Sequence, residues 1–234
     1  MAKREIVLDT ETTGFMTDDG HRMVEIGMVE LIDGKPTGKE YHCYFNPGAD
    51  GMKLLTQISK NGKSASDING LTPAMLEDKP FFCEKAQEIR DFIGDSDIVI
   101  TCWVMKDDAG KDYTLDIGML DMELTQAGVT PIPAEQWVNI RPLSEQMFGH
   151  KDASMRYVLP RYGVDDLDRD DKGHSAIEDA QLLAEIYPSV LAEYNHWKTG
   201  KNTEPNFTPT LPTPTAEEIK ARNSKPCHQN QFKR

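Results

Sequence analysis

The sequence lacks three features, and each absence narrows what the chain can be. Its cysteines have no paired spacing, and Cys227-His228 has no matching Cys/His pair, so we expect reduced thiols and no structural zinc site. It has no long apolar run and no leader-like segment before the first predicted strand, so we expect no membrane segment and a cytoplasmic location. The four cysteines are Cys43, Cys83, Cys102 and Cys227.

Basic residues are also few. The chain carries 26 Lys and Arg against 39 Asp and Glu, a net charge of −13 over 234 residues. A protein that binds long duplex nucleic acid nonspecifically usually presents a basic face. The negative net charge therefore argues against a basic face of this kind and is compatible with a small, acidic functional site.

Two carboxylates stand at the end of a predicted buried strand, in the run Ile6–Gly14. Alternate side chains of a strand point to opposite faces, so Asp9 and Glu11 share a face while Thr10 points away. Neighbouring acids repel each other, and a divalent cation such as Mg²⁺ or Mn²⁺ is the simplest positive partner for oxygen ligands. A solvated acidic pair is the alternative interpretation.

A second acidic segment lies far downstream, in Gly173–Tyr187. Ser175 and Glu178 have the spacing of a capping box, which predicts a helix from Ala176. Asp179 would lie in its first turns and His174 on the preceding loop, so both side chains can reach one small site. Alternatively, Asp179 only favours the helix dipole and His174 is an ordinary loop residue. The predicted apolar stripe is Ile177, Ala180, Ala184 and Tyr187, and Pro188 is predicted to end or kink the helix.

A third acid begins another predicted helix, Leu115–Leu124, which follows the short apolar strand Ile98–Ile100. Asp116 either caps this helix or projects into a site. The helix is expected to bury one face formed by Leu115, Met119 and Met122, with Gln126 or Leu124 on or near it.

Together these segments resemble the DEDDh 3′–5′ exonucleases, the DnaQ-like group that includes the epsilon proofreading subunit of bacterial replicative DNA polymerase. Residues 4–32 and 173–187 resemble the first and third motifs of the family. Residues 69–76 resemble its short helix, and residues 116–123, with Asp121 and Glu123, resemble the second half of its middle motif. The resemblance covers roughly residues 4–195.

The resemblance implies a metal-dependent exonuclease that uses two divalent cations, Mg²⁺ or Mn²⁺. Asp9, Glu11 and Asp179 would hold one cation, and Asp9 would also bridge to the second. Asp116 would act on the second cation, and His174 would be the general base that takes a proton from the attacking water.

One departure from the family lies between the predicted strand and Asp116. The family usually carries His-Asn shortly before its middle Asp, and residues 101–115 contain no Asn. We predict an inserted hairpin or loop there, with contact to the terminal nucleotide in doubt. A second long loop is predicted at 48–67. Candidate phosphate contacts, each with a solvated or surface salt-bridge alternative, are Lys53, Lys60, Lys63, Arg141, Arg156 and Arg161.

The expected fold is α/β, an RNase H-like mixed β-sheet flanked by α-helices. Strands are predicted near 4–9, 22–31 and 40–46 as an antiparallel meander, with its second turn at 33–36, and further strands near 97–101 and 137–141. Helices are predicted at 143–148, at 153–162 and along the stripe Phe82, Ala86, Ile89 and Ile93.

The chain is expected to divide into an exonuclease domain, residues 1–198, and a flexible Pro/Thr-rich linker and tail, residues 199–234. The tail would either dock a DNA polymerase or clamp or do nothing specific. The expected activity is removal of nucleotides from single-stranded DNA 3′ ends in proofreading or repair. The alternatives are an RNA 3′-end trimming exonuclease of the same fold and a non-catalytic nucleic-acid-binding module.

Overall fold

A five-stranded mixed sheet organises the residues that the computed structural model describes, which are 2–15, 20–101, 104–106, 112–149, 154–164 and 173–198. In chain order the strands are β1 (Arg4–Thr12), β2 (Met23–Ile32), β3 (Lys35–Tyr44), β4 (Asp97–Ile100), β5 (Val104–Lys106), β6 (Asp112–Thr114) and β7 (Trp137–Asn139). The main sheet has the order β3-β2-β1-β4-β7, and β5 pairs with β6. β1, β2 and β3 are antiparallel, whereas β4 is parallel to β1 and β7 is parallel to β4. This confirms the predicted meander and the mixed sheet.

Helices cover both faces of this sheet. They are α1 (Gly48–Thr56), α2 (Ala65–Asn69), α3 (Pro73–Leu76), α4 (Phe82–Ile93), α5 (Leu115–Gln126), α6 (Arg141–Phe148), α7 (Met155–Val158) and α8 (Ala176–Lys198), with 3₁₀ turns at Ala134–Gln136 and Leu159–Tyr162. Among the described residues, no helix is long and apolar enough to cross a membrane.

The alternation along β1 divides the core into two layers. Ile6 and Leu8 pack with the buried residues of α4 and α5, while Val7 packs with those of α8. Each fully buried aliphatic side chain of this kind contributes about 1.5–3 kcal/mol to folding. The odd-numbered face of β1, which carries Asp9 and Glu11, is therefore the face that α8 covers.

The turn between β2 and β3 is tighter than predicted. Asp33 and Gly34 have φ values of 50° and 73°, as a two-residue hairpin turn requires, and β3 begins at Lys35 instead of near residue 40. Pro36 pairs with Leu31 inside β3, which is tolerated because β3 is an edge strand. The prediction was wrong because it counted Pro36 as a turn residue.

Several helix boundaries also differ from the predicted ones. The expected helix at 153–162 is α7 followed by a 3₁₀ turn, since Pro160 has no amide hydrogen to donate. The expected helix at 143–148 begins at Arg141, because Pro142 fits its first turn. The expected loop at 48–67 contains α1 and α2. α4 has the predicted extent and the predicted buried stripe.

Of the two outcomes predicted for Pro188, an end or a kink of α8, the structure excludes the end. The helix continues to Lys198, because residues on both sides of Pro188, including Tyr187 and Val190, are buried against the sheet. Its predicted start at Ala176 is confirmed. Cys43 and Cys83 are free thiols, while Cys102, Cys227 and the predicted tail at 199–234 lie outside the described residues.

Candidate active site

Two rows of paired residues cross the sheet beneath the start of α8. In the first row Asp9 pairs with Gly27, which pairs with His42. In the second row Glu11 pairs with Glu25, which pairs with Tyr44. Directly opposite residues of an antiparallel pair share a face, so the side chains of both rows lie on the α8 face.

Gly27 lets α8 approach the sheet. A Cβ atom at this position would lie 2.3 Å from the amide nitrogen of Ile177 and 2.4 Å from the carbonyl carbon of Ala176. Any larger residue would push the first turn of the helix away. The glycine opposite Asp9 thus sets how close Asp179 comes to β1.

The loop that carries His174 is attached to α2. Gly173 has a φ of +85°, and a Cβ there would lie 3.0 Å from the carbonyl of Asn69. The amide nitrogen of His174 donates to the carbonyl oxygen of Ile68, at 3.1 Å. α2 itself begins with a capping box between Ser64 and Asp67, so the loop rests on a short, well-terminated helix.

Glu11, His174 and Asp179 come together at the carboxyl end of β1. One ligand atom from each lies within 4.8 Å of the other two, and His174 Nδ1 is 3.9 Å from Asp179 Oδ2. Asp179 is buried, while the His174 side chain remains 32% exposed. The two carboxylates supply oxygen ligands that suit a divalent cation, so they fit the metal that the family implies, and the imidazole of His174 lies within reach of the same point.

Asp9 and Asp116 are not part of that 4.8 Å cluster. Asp9 is half-buried two residues before Glu11, in the row of Gly27. Asp116 is buried, and its Oδ1 accepts a hydrogen bond from the Thr10 hydroxyl at 2.7 Å. Thr114 is the N-cap of α5, so Asp116 is the second residue of the helix and contacts β1 between the two acids of the first motif.

The buried face of α5 contains the predicted Met119 and Leu124, and it also contains residues that the prediction left out. Its buried residues are Asp116, Met119, Leu120, Glu123 and Leu124, whereas Leu115 and Met122 are partly buried. The reason is an ion pair: Arg22 Nε donates to Glu123 Oε1 at 2.7 Å and Arg22 Nη2 to Glu123 Oε2 at 2.5 Å. A charged residue thereby occupies a core-facing position that apolar periodicity assigned to the surface.

The basic residues predicted to contact phosphate have varied surroundings. Lys53 pairs with Asp50 at 2.7 Å, and Lys60 and Lys63 are exposed. Arg141 pairs with Glu145 at 3.0 Å, which confirms the salt bridge of its alternative interpretation, but Arg141 is buried and does not lie at the surface. Arg156 is half-buried, and Arg161 lies over the Phe148 ring at 4.3 Å.

The predicted insertion before α5 contains a hairpin. β5 and β6 pair in antiparallel register from Val104 with Thr114 to Lys106 with Asp112. Residues 102–103 and 107–111 lie outside the described part of the chain. The hairpin leads directly into Leu115 and Asp116, so it lies in sequence next to the candidate site.

Sequence reasoning missed Glu25. This carboxylate is only 1% exposed, and its Oε1 accepts from the Ser175 hydroxyl at 3.0 Å and lies 2.8 Å from His42 Nε2. Burial, and then the negative charges of Glu25 and Glu178, raise the pKa of Tyr44 above its ordinary value of 10.0. The available signal was an acid flanked by the apolar residues Val24 and Ile26 of β2.

Comparison with known proteins agrees with the geometry. Residues 6–187 match the exonuclease family model RNase_T. DNA polymerase III subunit epsilon of Rickettsia typhi is 35% identical over 190 residues, covering 80% of this chain and 73% of its own. The epsilon subunit of Haemophilus influenzae is 29% identical over 225 residues, covering 93% and 79%.

The fold is likewise similar to that of a solved structure. The nuclease domain of 3′hExo, a DEDDh family member bound to rAMP, superposes with a TM-score of 0.57 at 15% identity, covering 85% of this chain and 94% of that domain. At this identity the likeness establishes the fold alone.

Proposed function

The chain belongs to the DnaQ-like, DEDDh group of 3′–5′ exonucleases, and from this membership we propose that it removes nucleotides from single-stranded DNA 3′ ends in proofreading or repair. The observation that carries the proposal is the cluster of Glu11, His174 and Asp179 at the carboxyl end of β1. Relatives named as DNA polymerase III epsilon subunits support DNA as the substrate.

Exonucleases of this family use divalent metal ions, and we assign Asp9, Glu11, Asp116 and Asp179 to holding two of them, Mg²⁺ or Mn²⁺. When bound, such cations stabilise the charge that develops on the phosphate and on the departing 3′ oxygen. The geometry supports Glu11 and Asp179 most directly. Asp116 would be held in orientation by the Thr10 hydroxyl.

We assign His174 as the general base. Imidazole takes and gives a proton readily near neutral pH, and the exposed side chain can pass that proton to solvent. Asp179, 3.9 Å from Nδ1, would favour the imidazolium that forms. The hydrogen bond from the amide nitrogen of His174 to the carbonyl oxygen of Ile68 would fix the backbone at His174 and so keep its imidazole close to Glu11.

An RNA 3′-end trimming exonuclease is the second candidate. A domain of the same fold is known with rAMP bound, and the segment before Asp116 departs from the family pattern. Both candidates use the same acids and the same base, so the sugar of the preferred strand distinguishes them.

The test uses 5′-labelled single-stranded DNA and RNA of one sequence, with Mg²⁺, Mn²⁺ or EDTA. We expect a metal-dependent ladder that shortens DNA from its 3′ end. His174→Ala should lose about 10²–10⁴-fold in rate. Faster shortening of RNA would favour the second candidate, and no shortening of either strand by the wild type would contradict both.

We also propose that the exonuclease domain spans residues 1–198 and that residues 199–234 form a flexible tail that binds a DNA polymerase or clamp. The alignment with the Haemophilus influenzae subunit covers more of this chain than residues 1–198 provide, so it continues into the tail. A chain truncated after Lys198 should retain nuclease activity and lose binding to a bacterial replicative polymerase subunit or clamp. Equal binding by the full and truncated chains would contradict the assignment.

A further inference from the structure

We propose that Glu25 is a positioning residue for His174, acting through the hydroxyl of Ser175. The proposal rests on the exonuclease function assigned above, because it concerns how the general base of that reaction is held. Glu25 lies on β2 and is not one of the four acids, Asp9, Glu11, Asp116 and Asp179, that are assigned to the metals.

The location of Glu25 is costly for folding. It is 1% exposed and directly opposite Glu11 on the neighbouring strand. Like charges opposite each other in a sheet are destabilising, and burial of a carboxylate is unfavourable unless hydrogen bonds replace its water. Its contacts must therefore offset this cost, and those contacts lead to the candidate site.

One oxygen of Glu25, Oε1, contacts both Ser175 and His42. Oε1 accepts from Ser175 Oγ at 3.0 Å and lies 2.8 Å from His42 Nε2. Oε2 is buried and has no hydrogen-bond partner among the residues that the structure describes. The hydrogen bonds of Oε1 therefore hold Ser175 and His42 in place, while Oε2 remains buried without a hydrogen bond of its own among these residues.

Ser175 is the residue between His174 and the first turn of α8. Its carbonyl oxygen accepts from the amide nitrogen of Asp179 at 2.9 Å, and its hydroxyl reaches Glu25. On the other side, the amide nitrogen of His174 is bound to Ile68. The backbone of His174 is thus anchored from α2 on one side and from β2 on the other, and loss of Glu25 would remove the second anchor.

The chain supplies a matched control on the same face of the sheet. Glu5 is also buried, and it accepts from the hydroxyl of Tyr187 at 2.6 Å, so it too links the sheet to α8. It lies six residues before Glu11, at the opposite end of β1. Tyr187→Phe therefore removes a similar hydrogen bond far from His174, and Glu5→Gln removes the charge of its acceptor.

The experiment compares Glu25→Ala, Ser175→Ala and the double variant in the shortening of a labelled 3′-end oligonucleotide at saturating metal. We expect kcat to fall by about 10- to 100-fold in each single variant, because a displaced base loses its alignment with the attacking water. KM should stay within about twofold, since substrate binding is not the interaction removed. The double variant should be no slower than the slower single variant, because both remove the same hydrogen bond.

Two further variants separate positioning from a general loss of structure. Ser175→Thr retains the hydroxyl and should recover most of the lost kcat, whereas Tyr187→Phe and Glu5→Gln should keep wild-type kcat. Additive losses in the double variant, or equal losses in Tyr187→Phe, would overturn the proposal. If Glu25→Ala does not fold, Ser175→Ala and Ser175→Thr decide the question, because they change a single side-chain hydroxyl.

Hydrogen–deuterium exchange provides a measurement that needs no turnover. Amides of residues 173–179 should exchange faster in Ser175→Ala and Glu25→Ala than in the wild type, and no faster in Tyr187→Phe. Unchanged exchange in the first two variants would overturn the anchoring role. If the wild type degrades no nucleic acid but both variants exchange faster than it does, the anchoring role is supported and the proposed function is rejected.

Discussion

The two ends of β1 carry the same kind of side chain in different surroundings. At the amino end, Glu5 is 2.7 Å from the ammonium of Lys3, and Glu30 on the adjoining strand is 2.5 Å from the guanidinium of Arg4. At the carboxyl end, Glu11 lies beside His174 and Asp179. Acids at the amino end pair with Lys3 and Arg4, whereas Glu11 and Asp179 at the carboxyl end share a cluster with the imidazole of His174.

This difference separates structural acids from candidate catalytic ones. Arg4 also donates to the carbonyl oxygens of Phe92 and Ile93, so the amino end fastens β1 to the end of α4. The carboxyl end brings two carboxylates, Glu11 and Asp179, to the point where β1 meets the start of α8 and the loop at 173–175. Such an arrangement lowers stability until a cation binds, and then cation binding and folding reinforce each other.

The largest expected effect comes from removing an acid at the carboxyl end. Asp9→Ala or Asp179→Asn should lower kcat by at least about 10³-fold, because a misplaced metal forfeits several kcal/mol of transition-state stabilisation. Folding should be retained, since repulsion among the remaining acids decreases. The measurement is single-turnover cleavage of a labelled oligonucleotide, with thermal unfolding recorded in parallel.

Glu5→Gln is the matched control at the amino end. It should keep its activity and lose stability, because it weakens the contacts with Lys3 and Tyr187. The comparison of the two ends would be broken if Asp9→Ala remained active, or if Glu5→Gln were as inactive as Asp179→Asn.

An intermediate effect is expected at Gly27, which tests whether the approach of α8 controls the site. The added Cβ of Gly27→Ala would overlap Ile177 and Ala176, which should cost about 1–3 kcal/mol of stability. Displacement of Asp179 should lower kcat by about 10²-fold. Chemical denaturation and the oligonucleotide assay would measure the two effects, and wild-type kcat in a destabilised protein would show that the helix position does not matter for the reaction.

The smallest effect on activity is expected at Arg4. Arg4→Ala should cost about 2 kcal/mol of stability through lost charge-assisted hydrogen bonds and leave kcat unchanged. Partial burial acts to raise the pKa of Glu30, but the hydrogen bonds from Arg4 and Thr37 outweigh it, so the pKa lies below its ordinary value of 4.5.

Because the pKa of Glu30 is lowered in the folded state, the stability that Glu30 contributes depends on pH in a known direction. The stabilisation from Glu30 is complete above its ordinary pKa and is lost as the pH falls through the lower value of the folded state. Wild type should therefore lose more stability than Arg4→Ala on acidification below pH 4.5. Identical acid profiles for the two proteins, measured by urea unfolding, would exclude a structural role for this pair.

Local sequence patterns predicted the parts of the site that local rules govern. Asp9 and Glu11 share a face because strand residues alternate, and α8 begins at Ala176 where Ser175 and Glu178 indicated a helix start. The acidic pair and the predicted helix start together suggested the family, and the family resemblance implied the RNase H-like fold.

Long-range contacts explain what the sequence did not reveal. In the sequence Glu25 is flanked by apolar residues, and nothing nearby indicates its partners. In the fold, β3 and the start of α8 place His42 and Ser175 beside it. Glu123 faces the core of the protein because Arg22, distant in sequence, binds it. The partners of both carboxylates are distant in sequence. The burial of these carboxylates therefore could not be predicted from the local sequence around each of them.

The central claim is that the acids at the carboxyl end of β1 bind a divalent cation and those at the amino end do not. We would titrate Mn²⁺ into the wild type, Glu11→Gln and Glu5→Gln and follow free Mn²⁺ by electron paramagnetic resonance. The account predicts equal affinity for the wild type and Glu5→Gln, and affinity weaker by at least about tenfold for Glu11→Gln. Equal affinity in all three proteins would contradict it.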